Sequence, residues 1–202
     1  MMMQGQQDNF GQTPSQTVGP YFAYGLTAAQ YGYDFNQLFD TVLAGDDARG
    51  ERIRLQGRVL DGEGVPIPDA LVEISQVDGQ GRCPRNVYEA SALGFLGFGR
   101  CGTGTEPGSR YTFDTVKPGP QAEGEAPHID MILSMRGLLL HAFTRVYFDD
   151  ESDANARDAV LNSVPAARRH SLVARRDVRG GNVIYRFDVH MQGPYETVFF
   201  DL

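Results

Sequence analysis

The stretch E-A-P-H-I-D-M, residues 125–131, sets a histidine and an aspartate two positions apart. On an extended strand, residues i and i+2 project from one face, so His128 and Asp130 point the same way and Ile129 the other. Two ligands at that spacing chelate one metal ion, and imidazole with carboxylate suits the facial triad of non-haem iron. His141, His170 and His190 are the candidates for a third ligand. An oxygenase using 2-oxoglutarate also needs an arginine for the cosubstrate carboxylate. Arg175 and Arg176 are available, but nothing in the sequence fixes them near the pair. The competing reading is a hydrogen-bonded histidine in a strand, which a motif this short favours.

Other chemistry is thinner. G-F-L-G-F-G at 94–99 lacks the strand–turn–helix setting of a phosphate loop, and reads as a loop whose Phe95 and Phe98 pack. No Gly-x-Ser-x-Gly elbow occurs. The acidic run D-D-E-S-D at 149–153 reads as a solvated turn before a helix.

The elements that must position these residues are mostly strands. In R-I-R-L-Q-G-R-V-L (52–60), Ile53, Leu55 and Val59 alternate with polar residues, the period of a half-buried strand. D-G-E-G-V-P-I-P at 61–68 is turn chemistry. Strands are expected at 71–77, 111–116, 128–135, 138–148, 183–192 and 196–201, with a loop-rich stretch from 78 to about 108. One helix is expected over 152–163, capped by Ser152 or Asp153. Residues 27–43 show helical spacing weakened by Gly32. Residues 1–12 read as loosely ordered and 13–25 as an extended arm, since Pro14, Gly19 and Pro20 oppose regular structure. The fold class expected is all-β: an antiparallel β-sandwich with an N-terminal extended arm and one or two short helices. Residues 1–50 form the arm and helical segment, and residues 51–202 a single β-sandwich domain.

Several blocks, in order, resemble the intradiol ring-cleavage dioxygenases: T-P-S-Q-T-V-G-P-Y (13–21), G-R-V-L-D-G-E-G-V-P-I-P-D-A (57–70), F-G-R-C-G-T (98–103), Y-T-F-D-T-V-K-P-G-P (111–120), A-P-H-I-D (126–130), T-R-V-Y-F-D-D (144–150) and Y-R-F-D (185–188). The resemblance covers nearly the whole chain after residue 12. It implies a β-sandwich and O2-dependent cleavage of a catechol between its hydroxyl-bearing carbons. It also implies a ferric ion held by two tyrosines and two histidines. The positions that match those ligands hold Cys83, Gln121, His128 and Asp130, and Glu125 stands near the place of the family's arginine. One ligand of four is kept, so the chain itself carries no metal site and no catalytic residue of its own. Within the family the match is to an alpha chain, inactive alone, that pairs with a homologous beta chain. On this reading Fe(III) belongs to the partner, and the two chains form an alpha/beta hetero-oligomer cleaving protocatechuate to 3-carboxy-cis,cis-muconate. The residues carried over for the substrate pocket are Thr17, Gly19, Pro20 and Tyr21 in the arm, and Arg136 in S-M-R-G. A guanidinium beside Gly137 suits an aromatic carboxylate, against the plainer reading of a surface charge. The alternatives are a purely structural subunit, an independent His-x-Asp iron oxygenase, and a β-sandwich binding module.

Bulk composition agrees with a buried core: 202 residues, 41% hydrophobic and 22% charged. A net charge of −8 argues against nucleic-acid and anionic-membrane partners. No apolar run reaches membrane-spanning length, and M-M-M-Q-G-Q-Q-D-N-F does not read as a secretion signal. Two cysteines, Cys83 and Cys101, read as reduced thiols, and a cytoplasmic location is expected.

Overall fold

The computed structural model describes residues 14–201. Nine strands form the frame: β1 Arg52–Leu60, β2 Leu71–Ser75, β3 Phe98–Gly102, β4 Arg110–Val116, β5 His128–Ser134, β6 Ala142–Phe148, β7 Val173–Arg179, β8 Asn182–Arg186 and β9 Val189–His190. They bond in the order β3-β2-β5-β6-β7-β8-β1-β4, with β9 beside β1. Strand β7 joins two halves. Val173 and Ala174 pair in parallel with the end of β6, and Arg175–Arg179 pair antiparallel with β8. One half is β3-β2-β5-β6, the other β7-β8-β1-β4, and their inner faces pack as a sandwich.

The alternation seen in β1 is what fills the core. Ile53, Leu55 and Val59 point in and are buried, while Arg52 and Arg54 point out. Leu55, Phe113, Tyr185, Ile74, Met131 and Val146 meet in one cluster contributed by both halves. Each such side chain contributes roughly 1.5–3 kcal/mol by leaving water. A second cluster, Ala126, Tyr147, Leu161, Val164 and Leu172, lies outside the β5–β6 edge of this core.

The sheet is mixed rather than purely antiparallel: β1–β8, β1–β9 and β6–β7 run parallel. Parallel neighbours need long crossovers; residues 149–172 supply one of them, between β6 and β7. The helix expected over 152–163 is two short ones, α3 Ser152–Asn155 and α4 Ala159–Ser163. They are separated because Asp158 turns inward and caps α4 from a fully buried position, its carboxylate accepting from the Leu161 amide at 2.7 Å. Strand β3 and helix α2 Val87–Leu93 lie in the stretch read as loop, and β7 in a stretch assigned no element. V-A-R-R-D-V-R hides its strand because only its start faces the core. Residues 196–201 form no strand, only a bridge between Phe200 and Phe143. Within the arm, Phe22–Leu26 is helical (α1), entered through a turn in which the Phe22 amide reaches the Gly19 carbonyl at 3.1 Å. Ala28–Tyr31 forms one 3-10 turn, stopped at Gly32 in the left-handed region (φ 78°). The reading of residues 1–12 lies outside the described residues.

One close approach is decisive. The Phe187 carbonyl lies over Gly57, so that a Cβ there would sit 1.7 Å from that oxygen and 2.8 Å from the Tyr111 hydroxyl. The buried Tyr111 hydroxyl donates to the same carbonyl. No side chain fits, and the clash is with backbone. Gly57→Ala is therefore expected to lose more than about 4 kcal/mol and leave little soluble folded protein. Circular dichroism melting checks this; a variant melting within a few degrees of the parent would refute the constraint.

Candidate functional site

Strands β5 and β6 place the candidate ligands. Their antiparallel register sets His128 opposite Tyr147 and Asp130 opposite Arg145. His128 is buried at 1% exposure. Its Nδ1 donates to the Ala126 carbonyl at 2.8 Å, which leaves Nε2 as the acceptor of the Gln121 amide at 3.1 Å. The ring's lone pair is thus already engaged by a neighbour. Asp130 Oδ1 accepts from Arg145 Nε at 3.1 Å and stands 3.8 Å from His128 Nε2. Burial works against the Arg145 cation, but the Tyr147 hydroxyl and the Asp130 charge hold its pKa above the ordinary value.

Behind this pair sits a second network. Tyr147 donates to Asp158 Oδ1 at 3.0 Å, and the Ala126 amide donates to Oδ2 at 2.9 Å. Burial acts to raise the Asp158 pKa; the Leu161 and Ala126 amides and the Tyr147 hydroxyl outweigh it and hold it below the usual carboxylate value. Burial raises the phenol of Tyr147 well above its ordinary value, with Asp158 adding to it.

Cys83 stands apart. The D-G-Q-G-R turn that precedes it is held by Asp78, fully buried, whose carboxylate accepts from the Gln80 and Arg82 amides and from the Arg82 guanidinium at 2.9 and 2.6 Å. The Cys83 thiol is exposed, and its one polar neighbour is the Pro84 carbonyl at 3.8 Å. Desolvation raises its pKa above the ordinary thiol value. Among the described residues no three His, Cys, Asp or Glu side chains converge where they could hold a metal. The facial-triad reading therefore fails: His128 Nε2 is engaged, and His141 and His170 are exposed elsewhere. A ferric ion wants several anionic ligands; a neutral amide, an exposed thiol and an arginine-paired carboxylate do not fit it.

The arm and Arg136 are brought together. Thr17 Oγ1 accepts from the Gly137 amide at 2.8 Å, which docks the arm on the turn after β5. Arg136 is exposed, and its Nε donates to Asp69, a carboxylate 12% exposed. Among the described residues its terminal nitrogens make no hydrogen bond. Gly137 carries φ 91°, the left-handed turn that presents Arg136. Gly19 and Pro20 form the turn into α1; Tyr21 is 77% exposed and packs edge-on against Tyr24, which stacks on Tyr31 at 4.0 Å. His141, a candidate third ligand, is exposed beside the exposed Leu139 and Leu140 and lies outside the core. Phe95 is buried and Phe98 packs on Phe39 at 4.7 Å, as expected, but Phe98 opens β3 rather than lying in a loop.

The sequence reading missed Arg145, Tyr147, Asp158 and Asp69. A signal existed for the first two: Arg145 and Tyr147 share a strand face in T-R-V-Y-F, and a hairpin between β5 and β6 sets them opposite the H-x-D pair.

The stability contributed by Asp158 is complete above the unfolded carboxylate pKa of about 3.9 and is lost as pH falls through the lower folded value. Asp158→Asn is expected to lower Tm at neutral pH and to flatten the acid limb of Tm against pH below about pH 4. Parallel acid limbs in parent and variant would show that this carboxylate is not held low.

Comparison with known proteins places the arrangement. The Dioxygenase_C model, described as dioxygenase, matches residues 19–193. The protocatechuate 3,4-dioxygenase alpha chain of Burkholderia cepacia is 58% identical, over 95% of this chain and 98% of that protein. The alpha chain of the same name from Pseudomonas putida is 43% identical over 94% and 96%. The protocatechuate 3,4-dioxygenase beta chain of Burkholderia cepacia is 34% identical over 71% of this chain and 66% of that one. An intradiol ring-cleavage dioxygenase from Tetranychus urticae shares the fold at TM-score 0.58 and 18% identity, over 90% and 94% of the two chains. The chain belongs to the intradiol ring-cleavage dioxygenase family.

Proposed function

We propose that this chain acts as the alpha chain of a protocatechuate 3,4-dioxygenase. In that role it shapes the substrate pocket of a homologous beta chain that holds the Fe(III). The observation carrying this reading is the closed state of the ancestral centre on one side of β5 and the open state of the Arg136 turn at its other end. At the first, Gln121 pairs with His128 and Arg145 Nε with Asp130, while the buried Arg145 Nη1 has no partner among the described residues. At the second, Arg136 is exposed, held through Nε alone, and Thr17 ties the arm to the same turn.

The chemistry follows from charge. The ferric ion supplies activation of the catechol and O2; this chain's part is to bind and orient. Asp69 fixes the Arg136 side chain and leaves its two terminal nitrogens for the substrate carboxylate, a charge-assisted contact. The backbone at Gly19 and Pro20 and the Tyr21 ring complete the wall of the pocket. The surface around the site supports a protein partner: Tyr21, Tyr33, Phe35, Leu38, Leu139 and Leu140 are all half or more exposed.

Two measurements test this. In the co-expressed alpha/beta complex, Arg136→Ala is expected to raise the KM for protocatechuate about tenfold, the worth of a charged hydrogen bond, with kcat little changed. Arg136→Lys is expected to recover part of the loss. Unchanged KM in both would leave a purely structural subunit. Second, the chain purified alone is expected to hold no stoichiometric iron and to be colourless, while the complex shows visible phenolate-to-iron absorption. Tight iron in the lone chain that disappears on Asp130→Ala would overturn the reading.

A further inference from the structure

A fold calls for glycine where the backbone turns left-handed or where another part of the chain crowds the Cα. Twelve glycines of the described residues carry a positive φ. Eight more have an atom of the chain 3.3 Å or less from the place of a Cβ. Two are left among the described residues, Gly19 and Gly25, and both lie in the arm. Neither has a left-handed φ, and nothing of the chain lies within 4 Å of where their Cβ atoms would stand. The fold of this chain does not explain them.

At Gly19 the local chemistry even opposes glycine. Its carbonyl accepts the Phe22 amide at 3.1 Å, so it holds the first position of a turn. That position suits Asp, Asn or Ser. Pro20 follows, and a residue before proline is held to extended backbone that every side chain adopts. Glycine there only adds freedom to the unfolded chain. What exposed Gly19 offers instead is bare backbone, open to a body from outside the chain.

Its neighbours select that body. Thr17, two residues earlier, accepts from the Gly137 amide at 2.8 Å, and its hydroxyl also lies 3.4 Å from the Met135 carbonyl. Two residues of chain reach at most about 7 Å, so this latch tethers Gly19 close to the Arg136 turn. Arg136 donates to Asp69 through Nε, and among the described residues its terminal nitrogens make no hydrogen bond. The ring of an aromatic carboxylate seated on those nitrogens lies flat along peptide backbone only where no Cβ stands between them.

We propose that Gly19 is a specificity-determining residue of the pocket proposed above, on which this inference rests. Its missing side chain keeps open the slot that the ring occupies when the carboxylate is on Arg136. A methyl group at position 19 takes up that slot. It penalises a catechol anchored by a carboxylate and spares one without, which nothing holds against the arm.

The co-expressed alpha/beta complex carries the test, with kcat and KM measured for protocatechuate and for unsubstituted catechol. Gly19→Ala is expected to lower kcat/KM for protocatechuate about tenfold, the worth of one methyl group in a binding slot, and chiefly through KM. The value for catechol is expected to stay nearly unchanged, and Gly19→Val is expected to widen the difference. The melting temperature is expected to be no lower than the parent's, since the backbone at this position accepts a side chain. Gly25→Ala, the other bare position of the arm, is expected to keep the parent's kinetics with both substrates. Unchanged kinetics in Gly19→Ala and Gly19→Val overturn the inference. So does an equal loss for both substrates, or the same loss in Gly25→Ala, either of which marks a general disturbance of the arm. Loss of the beta chain from Gly19→Ala makes the partner the body that needs the bare backbone, and a lower melting temperature makes it the fold; each overturns the inference. Arg136→Ala in the same assay separates the two levels. If it raises KM while Gly19→Ala does not, the inference alone fails. If it leaves KM unchanged, the pocket reading fails and takes the inference with it.

Discussion

The close passage of Phe187 over Gly57 is the constraint on which the rest of the frame depends. Strand β1 is central: it bonds to β4 on one side and to β8 and then β9 on the other. The chain steps from β8 to β9 through Phe187 and Asp188, and both are clamped to β1. The Phe187 amide reaches the Gln56 carbonyl at 3.0 Å, and Asp188 accepts the Arg58 amide at 2.9 Å. The Phe187 carbonyl takes the Tyr111 hydroxyl. A buried carbonyl lifted out of a ladder must find a donor inside the protein, and Tyr111 is that donor. The absence of a side chain at Gly57 makes the arrangement possible. Gly57 also floors a hollow lined by Arg58, Arg110 and Arg186, so the inner packing of this half and the charge on its outer surface are set by the same few residues.

The degenerate centre obeys a related logic of mutual satisfaction. His128 carries its polar atoms into the interior, and Asp130 stands half-buried beside it. An aspartate with no counter-charge there would be costly. Arg145, directly across the strand pair, neutralises it, and Gln121 occupies the imidazole nitrogen that would face a metal. The positive charge beside Asp130 is thus supplied from within the chain. Tyr147 and Asp158 extend this network into the second hydrophobic cluster, where Asp158 also caps α4. The site has thereby become part of the structure that holds the β6–β7 crossover.

Much of this was legible where period and burial coincide. The strands β1, β2, β4, β5 and β6 show their alternation openly, since each buries every second residue along most of its length. The resemblance assigns Cys83, Gln121 and Asp130 to ligand positions of the family by motif alone, without any help from burial or period. Strand β7 was hidden, because its residues after Ala174 face water or a partner strand's arginine and carry no apolar period. The helix read across 152–163 failed for a different reason. Its pattern is helical, but a buried acid in the middle, Asp158, gains more from three hydrogen bonds in the interior than a continuous helix would gain in solvent. The pairing of Arg136 with Asp69 joins residues 67 apart, and no local pattern encodes it.

These features divide the molecule by charge and polarity. The β5–β6 pair carries a largely internal network, Gln121 with His128 and Arg145 with Asp130, in which the buried Arg145 Nη1 is left without a partner among the described residues. The arm, the Arg136 turn and the exposed Leu139 and Leu140 present apolar surface and one cation with two unengaged nitrogens, which suits a buried contact with a small aromatic anion nearby. The outer face of β7-β8-β1-β4 sets Arg58 opposite Arg110 and Arg175 opposite Arg186, which suits a polar contact sensitive to salt. An isolated chain would leave both surfaces in water, the first at the cost of exposed apolar area and the second at the cost of like-charge repulsion. Contact with another protein surface would relieve both costs, burying the apolar area of the first and setting carboxylates against the guanidiniums of the second.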